Sequence, residues 1–285
     1  MSSSNTGPKR PVIRYYGGKW KLADWVISYF PKHKVYIEPF GGAASVLLKK
    51  EPARVEIYND LSSEMVNLFR VLRDESLRNK LLELLAYTPY SREEWESCYP
   101  LTDDPIEQAR RTIVLASMSH NPSKVLNRQA NGFRTSSSGY HRMPQDFINL
   151  QSNLIEVANR IKEVIIECRP AAKVMTQHDE ISTLHYVDPP YLGKTRSDNR
   201  NTYQHECFSV EDHFELSKTL KSLKGFVLLS GYPCEEYKEW YMDAGWHTVS
   251  KDAVTGAATP GKSKRTEVLY LNPAAAAMLR QQRLF

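Results

Sequence analysis

VYIEPFGGAASVLLKK, residues 35–50, joins an apolar strand to a helix through a glycine turn. Val35 to Ile37 have strand composition, Glu38 to Gly42 form the turn, and Ala43 to Lys50 have helical composition. Further along the chain, residues 55–58 give a second strand signal, which ends at Asn59 and Asp60. Residues 61–73 then place apolar side chains at helical spacing. Two successive strand and helix units predict a sheet covered by helices.

The remaining pattern is helical in the middle of the chain and alternating after it. Helical signals cover 76–86, 91–98, 105–119 and 145–161, and later 210–223, 235–244 and 274–283; strand signals cover 164–166, 184–187, 226–229 and 268–271. We therefore predict an α/β fold with a doubly wound, Rossmann-like sheet, interrupted by a smaller helical domain. The predicted sheet domain comprises residues 1–74 and 161–285, and the insert comprises 75–160.

The composition is that of an ordinary globular protein. Of 285 residues, 41% are hydrophobic and 25% are charged, and no apolar run is long enough for a membrane span. The first eleven residues lack the apolar segment of a secretory signal, and the 4 cysteines form no C-x-x-C pair. We expect a cytoplasmic protein with reduced thiols and no membrane contact. The net charge of +5 is compatible with a polyanionic partner without requiring one.

Polar and glycine-rich clusters stand where strands of this sheet end, which is where open α/β sheets bind ligands. They are Tyr15 to Lys19, Glu38 to Gly42, Asp60, and Asp188 to Tyr191. Taken alone, Gly41-Gly42 and Asp60 are as consistent with a plain turn and a helix cap as with a ligand-binding site.

Asp188-Pro189-Pro190-Tyr191 is more informative. Two prolines hold the backbone extended and remove two amide donors, so carbonyl groups stand beside a carboxylate and an aromatic ring. Such a slot suits a planar amine, because the oxygens accept its two N–H bonds while the ring covers its face.

These segments in this order resemble the Dam-type DNA adenine-N6 methyltransferases. Members of that family have an aromatic-x-Gly-Gly-Lys segment, a Glu-Pro-Phe glycine turn, an Asp after the second strand, a helical target-recognition region and Asp-Pro-Pro-Tyr. The corresponding segments here are 15–19, 38–45, Asp60, about 75–160 and 188–191, and the resemblance extends from Arg14 to Asn272.

The resemblance implies S-adenosylmethionine as the cofactor. By the same resemblance, its contacts are Tyr15, Lys19, Glu38, Phe40, Gly41, Gly42, Asp60 and Asp188. Asp60 can accept hydrogen bonds from both ribose hydroxyls, and the two glycines let a cofactor lie against bare backbone. Ala43-Ala44 departs from the family, in which a second glycine is common, and the extra methyl group predicts a small adjustment rather than a loss of binding.

The implied chemistry assigns catalysis to Asp188, Pro189, Pro190 and Tyr191. The exocyclic nitrogen of adenine is a poor nucleophile, and acceptors at Asp188 and the Pro189 carbonyl favour its more reactive, pyramidal form. Direct in-line transfer then needs mainly positioning, with neither a metal nor a covalent intermediate. Double-stranded DNA is the expected partner. Because a paired base cannot enter such a slot, the target adenine is expected to flip out of the helix and to stack on Tyr191. No obligate protein partner is implied.

Three alternatives remain. Methylation of RNA adenine or of an amide nitrogen would use the same slot. A phosphate-loop nucleotide hydrolase is suggested only by Gly256 to Ser263, a complete G-x-x-x-x-G-K-[ST] match that needs a helix after it, whereas a strand-like run follows. A DNA-binding module with an inactive site would not need Lys19, Asp60 and Asp188.

The loop at residues 120–142 is rich in amide and basic side chains and almost free of acids. Such side chains contact bases and phosphates in the major groove of DNA, whereas the alternative is an ordinary solvated loop. The predicted DNA contacts are Asn121, Lys124, Arg128, Arg134 and Arg142.

Overall fold

The structure is a computed structural model that describes residues 7–15, 17–121, 132–135, 142–192, 209–253 and 265–282. Lys124, Arg128 and the Gly256 to Ser263 segment lie outside these residues. No helix in the described part of the chain is long and apolar enough to span a bilayer.

Seven strands form one sheet in the order β3-β2-β1-β4-β5-β7-β6. Their bounds are β1 Val35–Glu38, β2 Val55–Asn59, β3 Ile165–Glu167, β4 Thr183–Val187, β5 Phe226–Gly231, β6 His247–Ala253 and β7 Arg265–Leu271. Strands β1 to β5 pair in parallel, whereas β7 runs antiparallel to both β5 and β6. The chain moves outward from β1 to β3 and then returns to β4 on the other side of β1. The predicted doubly wound α/β sheet is confirmed.

Twelve α-helices are found among the described residues. They are α1 Ala23–Ile27, α2 Ser45–Lys49, α3 Ser63–Arg73, α4 Glu75–Tyr87, α5 Arg92–Ser97, α6 Pro105–Met118, α7 Met143–Ile148, α8 Leu150–Arg160, α9 Ala171–Gln177, α10 Val210–Ser222, α11 Glu235–Tyr237 and α12 Pro273–Gln282. A π-helical turn, Lys238–Met242, continues α11. The single helix predicted at 145–161 is two helices, with Asn149 in the last turn of α7 and the start of α8.

Hydrophobic side chains pack on both faces of the sheet. On one face, Leu81, Ile113 and Leu154 from the middle helices share a continuous core with Tyr36 and Leu184 of the strands. On the other face, Leu216 and Leu220 of α10 pack with Val187, Val227 and Leu229. Helices α4, α6 and α8 therefore share one hydrophobic core with the sheet, whereas the proposed domain bounds at 75 and 160 remain a prediction.

The chain after residue 253 bears on the phosphate-loop alternative. Strand β6 ends at Ala253, and β7 begins at Arg265 and pairs with β6. A phosphate loop requires a helix at the point where this chain forms a strand.

Candidate active site

The predicted site residues lie at one edge of the sheet because parallel strands end there together. Glu38 ends β1, Asp60 follows β2 and Asp188 follows β4, and β1 lies between the other two strands. Asp60 holds two of these ends together: its Oδ2 accepts a hydrogen bond from the Gly42 amide at 2.7 Å, and its Oδ1 accepts one from the Ser62 amide at 2.8 Å.

The glycine turn is packed between two tyrosine rings. A side chain on Gly41 would overlap the Tyr58 ring, and the Cβ of one on Gly42 would lie 2.8 Å from Cε1 of Tyr15. Gly42 also has a φ of +48°, which favours glycine. The closest neighbours of both glycines are therefore protein rings. The sequence predicts that these glycines let a cofactor approach the backbone; the structure adds a packing requirement.

Ala44 adopts the left-handed conformation, with φ at 53°. The sequence predicted a small adjustment to an additional methyl group. Separately from that prediction, this conformation costs roughly 1–2 kcal/mol of backbone strain, because Cβ of an L-residue crowds its own carbonyl. Helix α2 accordingly begins at Ser45, two residues later than expected.

A buried cluster of charged and aromatic groups surrounds Asp188. The ammonium of Lys19 lies 2.9 Å from Oδ1 of Asp188 and 3.5 Å from Oε1 of Glu267, with side-chain exposures of 8%, 16% and 4%. The hydroxyl of Tyr191 donates to Oδ1 of Asp188 at 3.2 Å and also bonds Glu267. Lys19 lies 4.7 Å from the centre of the Tyr191 ring, and Tyr232 packs against this ring edge-on.

Glu267 is a member of this cluster that the sequence analysis missed. It lies in β7, where Thr266-Glu267-Val268-Leu269 places an acid within an apolar strand, and that acid was the available signal. Burial raises the pKa of Glu267, and the negative charge of Asp188 acts in the same direction, against the charge of Lys19. Burial also raises the pKa of Tyr191, as do the charges of Asp188 and Glu267, so its hydroxyl remains a donor.

Glu38 is enclosed rather than open to a ligand. Its Oε2 accepts hydrogen bonds from the Tyr36 hydroxyl at 2.9 Å and from the Leu47 amide at 3.0 Å. Burial raises its pKa to about 8, despite these two bonds. Phe40, which follows it in the turn, is half-buried against the core around Val187.

The described part of the predicted DNA-binding loop is closed by a short bridge. Ser119 pairs with Phe133 in antiparallel fashion, and the Arg134 amide donates to the Met118 carbonyl at 2.6 Å. Phe133 packs against Tyr90 and Trp95, with ring centres 5.4 and 5.9 Å apart. This base fixes where the loop leaves the helices.

Arg14, which the sequence did not single out, lies within range of the charge of Arg134. Burial lowers the pKa of Arg14, and the charge of Arg134 lowers it further. The Arg14 guanidinium donates to the Ser119 carbonyl at 3.1 Å. Asn121 is half-buried, and Arg142 is exposed immediately before α7. Arg14 is also next in sequence to Tyr15, whose ring packs on the glycine turn at Gly42.

Comparison with known proteins identifies the family of the chain. The family model for D12 class N6 adenine-specific DNA methyltransferases matches residues 15–254. Type II methyltransferase M1.LlaDCHI of Lactococcus lactis subsp. cremoris is 27% identical over 281 residues, covering 92% of this chain and 95% of that protein. The DNA adenine methylases of Salmonella typhi and Escherichia coli K12 are 26% and 24% identical, with the same coverage. The chain belongs to the D12 class of N6 adenine-specific DNA methyltransferases.

Proposed function

We propose that the protein binds S-adenosylmethionine and double-stranded DNA, flips an adenine out of the helix and methylates its N6 amino group by direct in-line transfer. The observation that carries this proposal is the placement of Asp188-Pro189-Pro190-Tyr191 at the end of β4, with Lys19 at 2.9 Å from Asp188. Asp60 and the glycine turn stand at the same edge of the sheet.

In this proposal, Asp188 and the Pro189 carbonyl accept the two N–H bonds of the adenine amino group. These acceptors favour the transition state, in which the nitrogen is pyramidal and its hydrogens are more acidic. Both prolines are buried and Asp188 is half-buried, so the acceptors are shielded from water, in which their effect would be weaker.

Tyr191 is the proposed stacking partner of the flipped base. In this structure the ammonium of Lys19 lies over its ring, and its hydroxyl bonds Asp188 and Glu267. An entering base therefore requires the side chains around Tyr191 to rearrange. Glu267 can retain the Tyr191 hydroxyl while Asp188 turns to the substrate.

When bound, S-adenosylmethionine would supply an electrophilic methyl group on a sulfonium and would leave as the neutral thioether S-adenosylhomocysteine, while the methylated nitrogen would release one proton to solvent. The strand-end chemistry fits such a molecule: Asp60 offers two carboxylate oxygens, with about four acceptor sites, beside a turn that is rich in backbone groups. Tyr15 is half-buried against that turn. Among the predicted contacts, Glu38 fits least well, because it is enclosed by Tyr36 and α2.

Asn121, Lys124, Arg128, Arg134 and Arg142 are the proposed DNA contacts, to which the structure adds Arg14. Arg14 and Arg134 support an anionic partner, because the positive charge of Arg134 disfavours the charged form of Arg14, and a bound anion would offset that repulsion. The comparisons favour DNA over RNA or amide substrates, and the strand at Arg265 disfavours a nucleotide hydrolase.

The test is to methylate unmodified duplex DNA and RNA and to quantify methylated nucleosides by mass spectrometry. We expect N6-methyladenine from duplex DNA alone. Asp188→Ala should lower single-turnover methylation on the order of 100-fold or more while duplex binding survives. Asp24→Ala, which changes an exposed aspartate on α1, is the control and should not affect the rate. Methylation of RNA, or a normal rate for Asp188→Ala, would contradict the proposal.

A further inference from the structure

A buried histidine on α10 forms a hydrogen bond with the backbone of the proposed catalytic segment. His213 lies on α10 and is fully buried. Its Nε2 is 2.9 Å from the carbonyl oxygen of Pro190, and its Nδ1 is 2.9 Å from the hydroxyl of Tyr237. Because a carbonyl oxygen only accepts, Nε2 carries a proton and donates it. In the neutral imidazole, Nδ1 then accepts from Tyr237, so the chain of donors runs from Tyr237 through His213 to Pro190.

A polar side chain at this position calls for a reason other than packing. His213 lies on the same face of α10 as Leu216 and Leu220, which belong to the hydrophobic core. A leucine would extend that stripe without the cost of burying a polar ring. The hydrogen bond to Pro190 is the feature that a leucine could not provide.

The bond acts where the segment still has freedom to move. The rings of Pro189 and Pro190 fix φ at both residues, so the path from Pro189 to Tyr191 varies mainly through their two ψ angles. The ψ angle of Pro190 sets the direction in which its carbonyl points. By holding this carbonyl, His213 fixes the peptide plane that leads into Tyr191, while β4 holds the other end at Val187.

We infer that His213, oriented by Tyr237, is a positioning residue for methyl transfer, which holds Asp188 to Tyr191 in the shape that receives the target adenine. The inference rests on the proposed function, because it takes this segment as the catalytic slot. His213 contacts the segment through the Pro190 carbonyl, which is not one of the acceptors proposed for adenine, so its effect should fall on the rate of the chemical step and not on substrate binding.

Two amide substitutions separate this role from simple core packing. In His213→Gln, the side-chain amide nitrogen takes the place of Nε2 and can donate to Pro190. In His213→Asn, the amide stands near Nδ1, so it reaches Tyr237 but not Pro190. We expect His213→Asn to lower kcat about 10-fold with KM for duplex DNA and cofactor affinity within about 2-fold, since small misplacements of a reacting group are costly. His213→Gln should remain within about 3-fold of the original kcat.

The measurements are steady-state kinetics, calorimetric cofactor binding and thermal unfolding of each variant. Lys221→Ala, on the exposed side of α10, is the control and should match the unmodified protein. If His213→Asn does not fold, Tyr237→Phe takes its place, with an expected loss in kcat of about 3-fold. Equal losses in the Asn and Gln variants, no loss in either, or a change in KM alone would overturn the inference. Asp188→Ala separates the two proposals: if it remains active, the catalytic slot itself is wrong, whereas an inactive Asp188→Ala beside a fully active His213→Asn removes only the role of His213.

Discussion

Glu38 shows how one enclosed carboxyl group makes stability depend on pH. Burial raises its pKa from 4.5 to about 8, so at neutral pH the folded protein holds a proton that the unfolded chain has released. The unfolded state therefore binds fewer protons between these two values, and stability falls as pH rises through that window. The slope for one proton is at most about 1.4 kcal/mol per pH unit.

We predict that Glu38→Gln removes this part of the pH dependence. An amide has the shape of the protonated acid and can accept from Tyr36 and Leu47, but it does not titrate. The variant should match the original protein near pH 5 and become progressively more stable relative to it towards pH 8. Urea unfolding of both proteins at several pH values measures this difference. Parallel curves would show that Glu38 is already ionised in the folded protein.

At the scale of residues, the sequence predicted the site where a local pattern marks a strand end. Asp60 and Asp188 each follow an apolar run, and parallel pairing brings such ends together without further information. Glu267 could not be predicted in this way, because it reaches Asp188 only when β7 returns antiparallel beside β5. His213 was hidden for a related reason: its partner is a backbone carbonyl in a different segment.

At the scale of elements, the sequence predicted a helix or strand boundary where a local signal such as a helix cap marks it, and it missed elements that have no such signal. Helix α6 was predicted to begin at Pro105, where Asp104 caps the helix and proline occupies its first turn. Strand β6, His247–Ala253, was missed because it is a polar edge strand that pairs only with β7. Helix α9 was also missed, since 7 residues are too few for a clear helical period.

The bridge between Ser119 and Phe133 makes Arg134 the best placed of the predicted DNA contacts for a test. Its backbone is held by bonds to Met118 and Tyr90, so replacing the side chain should leave the local fold intact. We predict that Arg134→Ala lowers duplex affinity. If Arg134 contacts a base edge, the loss should be roughly 1–3 kcal/mol at the correct site and discrimination should relax at one position. If it contacts phosphate, all sequences should weaken equally and the salt slope should fall by about one unit.

Arg111→Ala is the matched control for Arg134. It removes another guanidinium from the helical region, but Glu107 neutralises that charge at 2.8 Å. Methylation of a randomised duplex pool, with binding at several salt concentrations, compares the variants. If Arg134→Ala behaves as Arg111→Ala does, Arg134 is not a DNA contact.

At the scale of the whole molecule, an ion cluster ties the helical region to the sheet. The Arg160 guanidinium, at the end of α8, lies 2.6 Å from Oε2 and 3.0 Å from Oε1 of Glu56 in β2. Lys50 contacts the same carboxylate at 2.5 Å, and Arg160 also donates to the Leu47 carbonyl at 2.7 Å. Although burial acts to raise the pKa of Glu56, the bonds from Arg160 and the charge of Lys50 outweigh it, and the net pKa is lowered. The ion cluster and the shared hydrophobic core together favour cooperative unfolding of the middle helices and the sheet.

We predict that Arg160→Met destabilises the whole molecule by about 3 kcal/mol at pH 7, because it removes two of the four hydrogen bonds to a buried carboxylate. The lowered pKa of Glu56 contributes stability that is present above the pKa of the unfolded chain and is lost as pH falls through the folded value. The cost of the substitution should therefore shrink in acid. Arg73→Ala is the control: it removes one bond to the Val164 carbonyl and should cost about 1 kcal/mol at every pH.

Hydrogen exchange followed by mass spectrometry shows whether the helices and the sheet unfold together in Arg160→Met. Peptides from α5 and α6 and from β1 and β4 should lose protection by the same amount in Arg160→Met, because one core joins them; a loss confined to the helices would mean that they form a domain that unfolds separately.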